Sequence, residues 1–186
     1  MKELKNIYLV RHCEAEGQSA EAQLTERGNH QALDLSAFFH SIQVDRIISS
    51  PYKRARQSIE PLALCLNLEI ENDHRLTERV LSSENLPNWF EKLKATFTDM
   101  DLTFEGGESS RAAMKRIVAV TEEVFQSDAI NTVIVTHGNI MSLLLKHYQK
   151  DVGFTDWCNL SNPDVFLLKY EKHKIICARI WGKDGE

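Results

Sequence analysis

Thr132-Val133-Ile134-Val135-Thr136-His137-Gly138 is a strongly β-prone run that stops at a histidine and a glycine. A second run near the N-terminus has the same form: Ile7-Tyr8-Leu9-Val10 leads into Arg11-His12. Both are apolar runs of the kind that forms strands. Long segments of helical period separate them, and strands joined by long crossovers pair in parallel.

The rest of the chain fits that frame. Thr25 has the character of an N-cap, and Ala32, Leu35, Phe38, Phe39 and Ile42 behind it recur at helical spacing. A second strand is expected at Arg46–Ser49, with Pro51 at the N-terminus of a helix running to about Leu66. Leu68–Ile70 reads as a short third strand before a polar loop containing Arg75-Leu76-Thr77-Glu78. Further helices are expected over Asn88–Thr96, Ser109–Gln126 and Ile140–Tyr148. The last two strands, Val165–Tyr170 and Ile175–Trp181, are joined by a tight charged turn and must be antiparallel. The expected fold is a three-layer α/β/α sandwich, with a mostly parallel sheet and an antiparallel element near the C-terminus.

The 186 residues suit one domain spanning 1–186, with no repeat, low-complexity tract or Pro/Gly/Ser linker. A net charge of -5 argues against nucleic acid and acidic membranes as partners. The N-terminus, Met1-Lys2-Glu3-Leu4-Lys5-Asn6, carries an acidic residue, and the apolar stretch after it is too short for a signal peptide or a membrane span. Cys13, Cys65, Cys158 and Cys177 form no C-x-x-C pair, so the expectation is reduced thiols in a cytoplasmic protein.

In open α/β sheets, ligands bind beyond the carboxyl ends of the strands, which is where His12 and His137 fall. A single such histidine is more often a surface loop residue; two in the same strand-terminal context point to a site. Arg11 adjoins the first. Ser49-Ser50-Pro51-Tyr52-Lys53-Arg54-Ala55-Arg56 adds a cationic cluster beyond the second strand. A cation at a helix N-terminus opposes the helix dipole, which suggests that an anion visits; arginine forks match phosphate oxygens. Lys53 and Arg56 are expected to face solvent. Glu78 is the acidic residue whose loop reaches the same edge, although Glu71, Asp73 and Glu84 are equally polar neighbours.

These segments together resemble the histidine phosphatase superfamily, the phosphoglycerate mutase-like enzymes. Leu9-Val10-Arg11-His12 with Glu14 is similar to its signature, and Ser49 to Ser58, Arg75-Leu76-Thr77-Glu78-Arg79 and Val135-Thr136-His137-Gly138 follow in family order. Leu24-Thr25-Glu26-Arg27-Gly28 and Gly106-Gly107-Glu108-Ser109 resemble its helix-opening segments. The resemblance spans nearly the whole chain. It implies that His12 is the nucleophile, that Arg11, Arg54 and His137 bind the substrate phosphate, and that Glu78 is the proton donor. Gln18 would stand where the mutases have a phosphate-binding asparagine. No metal or cofactor is implied, and no H-x-x-x-H or H-E-x-x-H spacing supports a metal hydrolase.

Three departures qualify the match. Cys13 replaces the glycine that usually follows the nucleophile; beside two arginines its thiol pKa should fall, unless it is simply a small buried residue. The segment Glu16 to Leu24 lacks the mutases' insert, and the chain stops at Glu186 without their lid-like tail. Leu86, Trp89, Phe90, Leu93 and Phe97, between Glu78 and Gly107, are expected to pack a helix onto the body rather than form a lid. Hydrolysis of a phosphorylated small molecule, or alternatively of a phosphoprotein, is therefore the leading expectation. Phosphoglycerate mutase chemistry and a non-catalytic phosphate-binding module are the alternatives.

Overall fold

The structure is a computed structural model that describes residues 5–171 and 174–182. The expected tight turn at 172–173, the residues 1–4 and the tail 183–186 lie outside the described residues. Among the described residues six strands form one sheet: β1 (Asn6–Arg11), β2 (Arg46–Ser49), β3 (Ile70–Asn72), β4 (Asn131–Thr136), β5 (Asp164–Glu171) and β6 (Lys174–Arg179), in the order β3-β2-β4-β1-β5-β6. The pairs β1·β4, β2·β4 and β2·β3 are parallel; β1·β5 and β5·β6 are antiparallel. The sandwich expected from the sequence is therefore the one observed.

Side-chain alternation divides the core. Tyr8 and Val10 of β1, with Ile47, Val133 and Val135, bury one face of the sheet under α1 (Glu26–Phe38) and α2 (Lys53–Leu66). Ile7, Leu9, Ile48 and Ile134 bury the other under α4 (Ser110–Gln126) and α5 (Gly138–Tyr148). A 3-10 turn at His74–Leu76 precedes Glu78, and two smaller helices complete the chain, α3 (Trp89–Thr98) and α6 (Phe154–Cys158).

The caps read from sequence form. Thr25 Oγ1 accepts from the Gly28 amide at 2.9 Å, and Ser109 Oγ from that of Ala112 at 3.1 Å. Gly28 is required by proximity, since a Cβ there would lie 2.0 Å from the Glu14 carbonyl oxygen. That contact seats α1 against the loop following His12. The third strand is two residues later than its apolar run suggested: Ile47 pairs with Ile70, while Leu68 packs into the core ahead of the ladder. Trp181 lies beyond β6, its ring against Phe38.

Candidate active site

His12 and His137 each follow the last residue of their strand. β1 and β4 are neighbours, with Arg11 opposite Thr136, so the next residue on each strand brings the two imidazoles together. Their ring centroids are 5.1 Å apart. Both rings are buried, His12 at 8% exposed and His137 at 0%.

The state of His12 follows from its neighbours. Nδ1 lies 2.6 Å from the Cys13 carbonyl oxygen, which accepts only, so Nδ1 carries the proton and donates. Nε2 then holds its lone pair toward the site, where Arg54 Nε donates to it at 3.2 Å. Burial, followed by the charges of Arg54 and Arg11, lowers the His12 pKa to about 3, so the ring is neutral near pH 7. The pKa of His137 is also lowered, first by burial and then by His12 and Arg54. Its Nε2 lies 2.8 Å from Ser50 Oγ, and its Nδ1 has no partner among the described residues.

Two guanidiniums flank the imidazoles. Arg54 is 1% exposed, and its Nη1 donates to the carbonyls of Gln18 at 3.1 Å and Ser19 at 2.7 Å. Arg11 Nη1 donates to the Leu160 carbonyl at 3.0 Å, while its Nε is buried without a partner among the described residues. Both guanidiniums are bonded to main-chain carbonyls, which spend donors without cancelling charge. Burial lowers the pKa of each, which measures how poorly the site solvates its own cations. Gly138 lets Arg11 lie flat against the start of α5: a Cβ there would meet Arg11 Nε at 3.0 Å and Cζ at 3.1 Å.

Glu78 sits across the N-terminus of α5. Its carboxylate accepts from the amides of Arg79 at 2.8 Å, Asn139 at 3.0 Å and Ile140 at 3.0 Å. Glu78 and Gln18 both line a cavity of about 360 Å³ together with Arg11, Arg79, Asn139, Leu81, Leu93, Trp89 and Trp157. Of the six residues singled out in the sequence, Arg11, Gln18 and Glu78 line this cavity, while His12, Arg54 and His137 cluster with one another. Lys53 and Arg56 are exposed, as expected.

The thiol of Cys13 does not enter this site. It is 0% exposed among Val10, Leu24 and Leu35, and burial raises its pKa to about 11. Of the two readings of Cys13, the small buried residue is the one found. The residue contributes its peptide instead: the carbonyl holds His12, and the amide donates to Ser58 Oγ at 2.8 Å. Ser58 Oγ in turn donates to the Arg54 carbonyl at 2.7 Å, coupling the residue after His12 to the helix that carries Arg54.

Sequence reasoning overlooked three residues at the site. Arg116 on α4 donates to the carbonyls of Arg75, of Thr77 at 2.7 Å and of Glu78 at 3.3 Å, and pairs with Glu108 at 2.8 Å. It thereby fixes the Glu78 loop. Arg79 is 5% exposed and donates to the Glu108 carbonyl and Thr96 Oγ1. Asn139 follows the His137-Gly138 pair and lies on the cavity wall. The expectation for the Glu78–Gly107 segment is half corrected: Leu93 and Phe97 do pack inward, but Trp89 is 53% exposed and Phe90 42%, with Trp89 on the cavity rim. The ring of Phe90 nevertheless lies against Phe154 of α6 at 5.0 Å.

The chain is 30% identical to phosphoserine phosphatase 1 of Hydrogenobacter thermophilus, over 69% of this chain and 68% of that one. It is 26% identical to the probable phosphoglycerate mutase GpmB of Salmonella choleraesuis, over 92% and 88%. Among solved structures, a mycobacterial glucosyl-3-phosphoglycerate phosphatase superposes with a TM-score of 0.76 at 21% identity, covering 95% of this chain and 97% of the other. A phosphoserine phosphatase from Entamoeba histolytica does so with 0.78 at 17%, covering 94% and 96%. Residues 7–181 match one family throughout, and the chain accordingly belongs to the histidine phosphatase superfamily (branch 1).

Proposed function

We propose that this protein hydrolyses phosphomonoesters of small molecules through a phosphohistidine on His12. The observation that carries the reading is the His12–Cys13 hydrogen bond of 2.6 Å, which leaves Nε2 as a free base in a cationic pocket. A phosphoryl group entering that pocket would take over the Arg54 donor that now faces Nε2 and bring negative charge to Arg11, Arg54 and His137. Nε2 then attacks phosphorus in line and the phosphorus–oxygen ester bond breaks. The flanking cations stabilise charge on the equatorial oxygens.

Glu78 protonates the leaving oxygen in that step. Three of the roughly four acceptor sites of its carboxylate are taken by backbone amides, leaving about one for a mobile proton. In the second step water attacks the phosphohistidine, the nitrogen–phosphorus bond breaks, and Glu78 takes the proton from water. Gln18 lines the cavity beside these groups and is assigned to phosphate binding.

Mutase chemistry needs the phosphohistidine shielded from water. The loop after His12 instead folds back on itself, with Ala15 bridged to Leu24, and Arg54 holds its tip through Gln18 and Ser19. With Trp89 half exposed on the rim, this favours hydrolysis. The named relatives support a phosphorylated small molecule as substrate. The span of the family match supports a single domain, and four free cysteines support the cytoplasm.

The test is to quench turnover in alkali and look for label on the protein, released again by acid because protonation weakens the nitrogen–phosphorus bond. His12→Ala should lose both label and turnover, and inorganic phosphate should form faster than phosphoglycerates interconvert. Label persisting in the variant would remove His12 from the role, and faster interconversion would favour the mutase.

A further inference from the structure

The cavity that Arg11 and Glu78 share with the site has two unlike kinds of lining. Its polar lining is Arg11, Gln18, Glu78, Arg79 and Asn139, and its apolar lining is Leu81, Trp89, Leu93 and Trp157. The indoles belong to an aromatic cluster joining α3 to α6: Trp89 lies 5.6 Å from Phe90, Phe90 5.0 Å from Phe154, and Phe154 5.4 Å from Trp157. Helix α3 buries Leu93 and Phe97, yet leaves Trp89 53% exposed at the mouth of the cavity. Keeping that much aromatic surface in water forgoes burial energy that the helix could otherwise gain.

The polar lining has its own anomaly. Asn139 is 6% exposed, and neither the oxygen nor the nitrogen of its carboxamide has a partner among the described residues. A buried amide left unpaired is unfavourable, and a turn of this side chain toward the cavity it lines would let a ligand satisfy it. The cavity, about 360 Å³, falls within the range typical of sites for drug-sized ligands, roughly 300–1,000 Å³, and exceeds what a three-carbon alcohol needs.

We propose that this cavity is the leaving-group subsite and that it selects phosphomonoesters whose alcohol carries a planar aromatic or heteroaromatic ring. The ring lies against Trp89 and Trp157, and a polar edge meets the Asn139 carboxamide. The inference rests on the phosphatase reading and adds the substrate class to it.

Its test compares 2-(2-naphthyl)ethyl phosphate with n-butyl phosphate. Both release primary alcohols of similar basicity, so their kcat/KM ratio reads recognition rather than chemistry. The ratio should be about tenfold or more in favour of the aryl ester and should fall toward one in Trp157→Ala and in Trp89→Ala. A ratio near one in the wild type overturns the proposal, as does a high ratio that neither substitution moves. Should Trp157→Ala not fold, the half-exposed Trp89 still carries the test. A naphthylethyl phosphonate, whose carbon–phosphorus bond survives, separates this inference from the activity it rests on. Quenching of tryptophan emission without turnover of any ester would sink the phosphatase reading and keep the subsite; turnover with an even ratio would do the reverse. Neither turnover nor quenching would remove both.

Discussion

The two halves of the cleft are built differently. In the phosphate half every charged or nucleophilic side chain hangs from a sheet edge or a helix packed on it, and each is held by main chain: His12 by Cys13, Arg11 by Leu160, Arg54 by Gln18 and Ser19. In the leaving-group half, the walls come from α3, the five-residue α6 and the segment after Glu78, and the indole of Trp89 is half exposed. Groups that stabilise developing charge act through fixed geometry, so they belong on the rigid frame. Groups that recognise an alcohol tolerate looser support, because contact area rather than direction carries their effect. Glu78 stands at the boundary, a loop residue whose carboxylate is fastened to the frame at α5.

Substitutions on the two sides should therefore differ in size and in pattern. Arg54→Ala is expected to cost most, about 10²–10³ in kcat/KM, equally for an alkyl and a nitrophenyl phosphate, because it touches the phosphoryl group itself. Glu78→Gln should cost about 10² for the alkyl ester and little for the nitrophenyl ester, whose oxygen leaves without a proton. Equal losses would remove Glu78 from the acid's role and blur the boundary between the halves. Arg116→Met should cost about tenfold in kcat with the same leaving-group bias, since Arg116 acts by holding the Glu78 loop. A loss without that bias would reduce Arg116 to a packing residue.

The smallest effects concern the frame. An unfolded histidine takes its proton near pH 6.5, whereas folded His12 resists until about 3, and His137 is shifted the same way. Between those values the unfolded chain binds more protons, so stability falls as pH falls, and the loss is complete only below about 3. Denaturation midpoints at pH 7 and pH 5 should converge in His12→Asn relative to the wild type; an unchanged gap would mean that other groups set the acid sensitivity. Finally, thiol reagents should label Cys65 and Cys158 while sparing Cys13 and Cys177, and activity should be unaffected. Labelling of Cys13 with loss of turnover would revive a redox role beside His12.

The rigid half was also the legible half. Strands that end in Arg11-His12 and Thr136-His137 announce themselves because a doubly covered strand must be continuously apolar, and its polar stop is then conspicuous. The loop half offered no such contrast. Arg116 sits in a helix with Arg111 and Lys115, and only the fold reveals that it alone of these turns toward the Glu78 loop. Helix α6 is five residues long, started by Asp156 accepting from the Gly153 amide at 2.8 Å, and is too brief to display a period. β3 was displaced because pairing with Ile47, Ile48 and Ser49, not hydrophobicity, decides which residues join an edge. The direction of Cys13 was unreadable for a simpler reason: strand alternation ends at Arg11.

The pairing of Arg11 with Thr136 also bears on how the protein is made. His12 leaves the ribosome well before its neighbours in the sheet, since β4 begins at Asn131 and β5 at Asp164. At about 5–20 residues per second, the histidine waits several seconds before its pocket exists. Until β4 docks, the ring is solvated and ordinary, with no buried cations around it. The nascent chain therefore carries His12 as an ordinary imidazole, and its buried, neutral form arrives only once β4 lies beside β1.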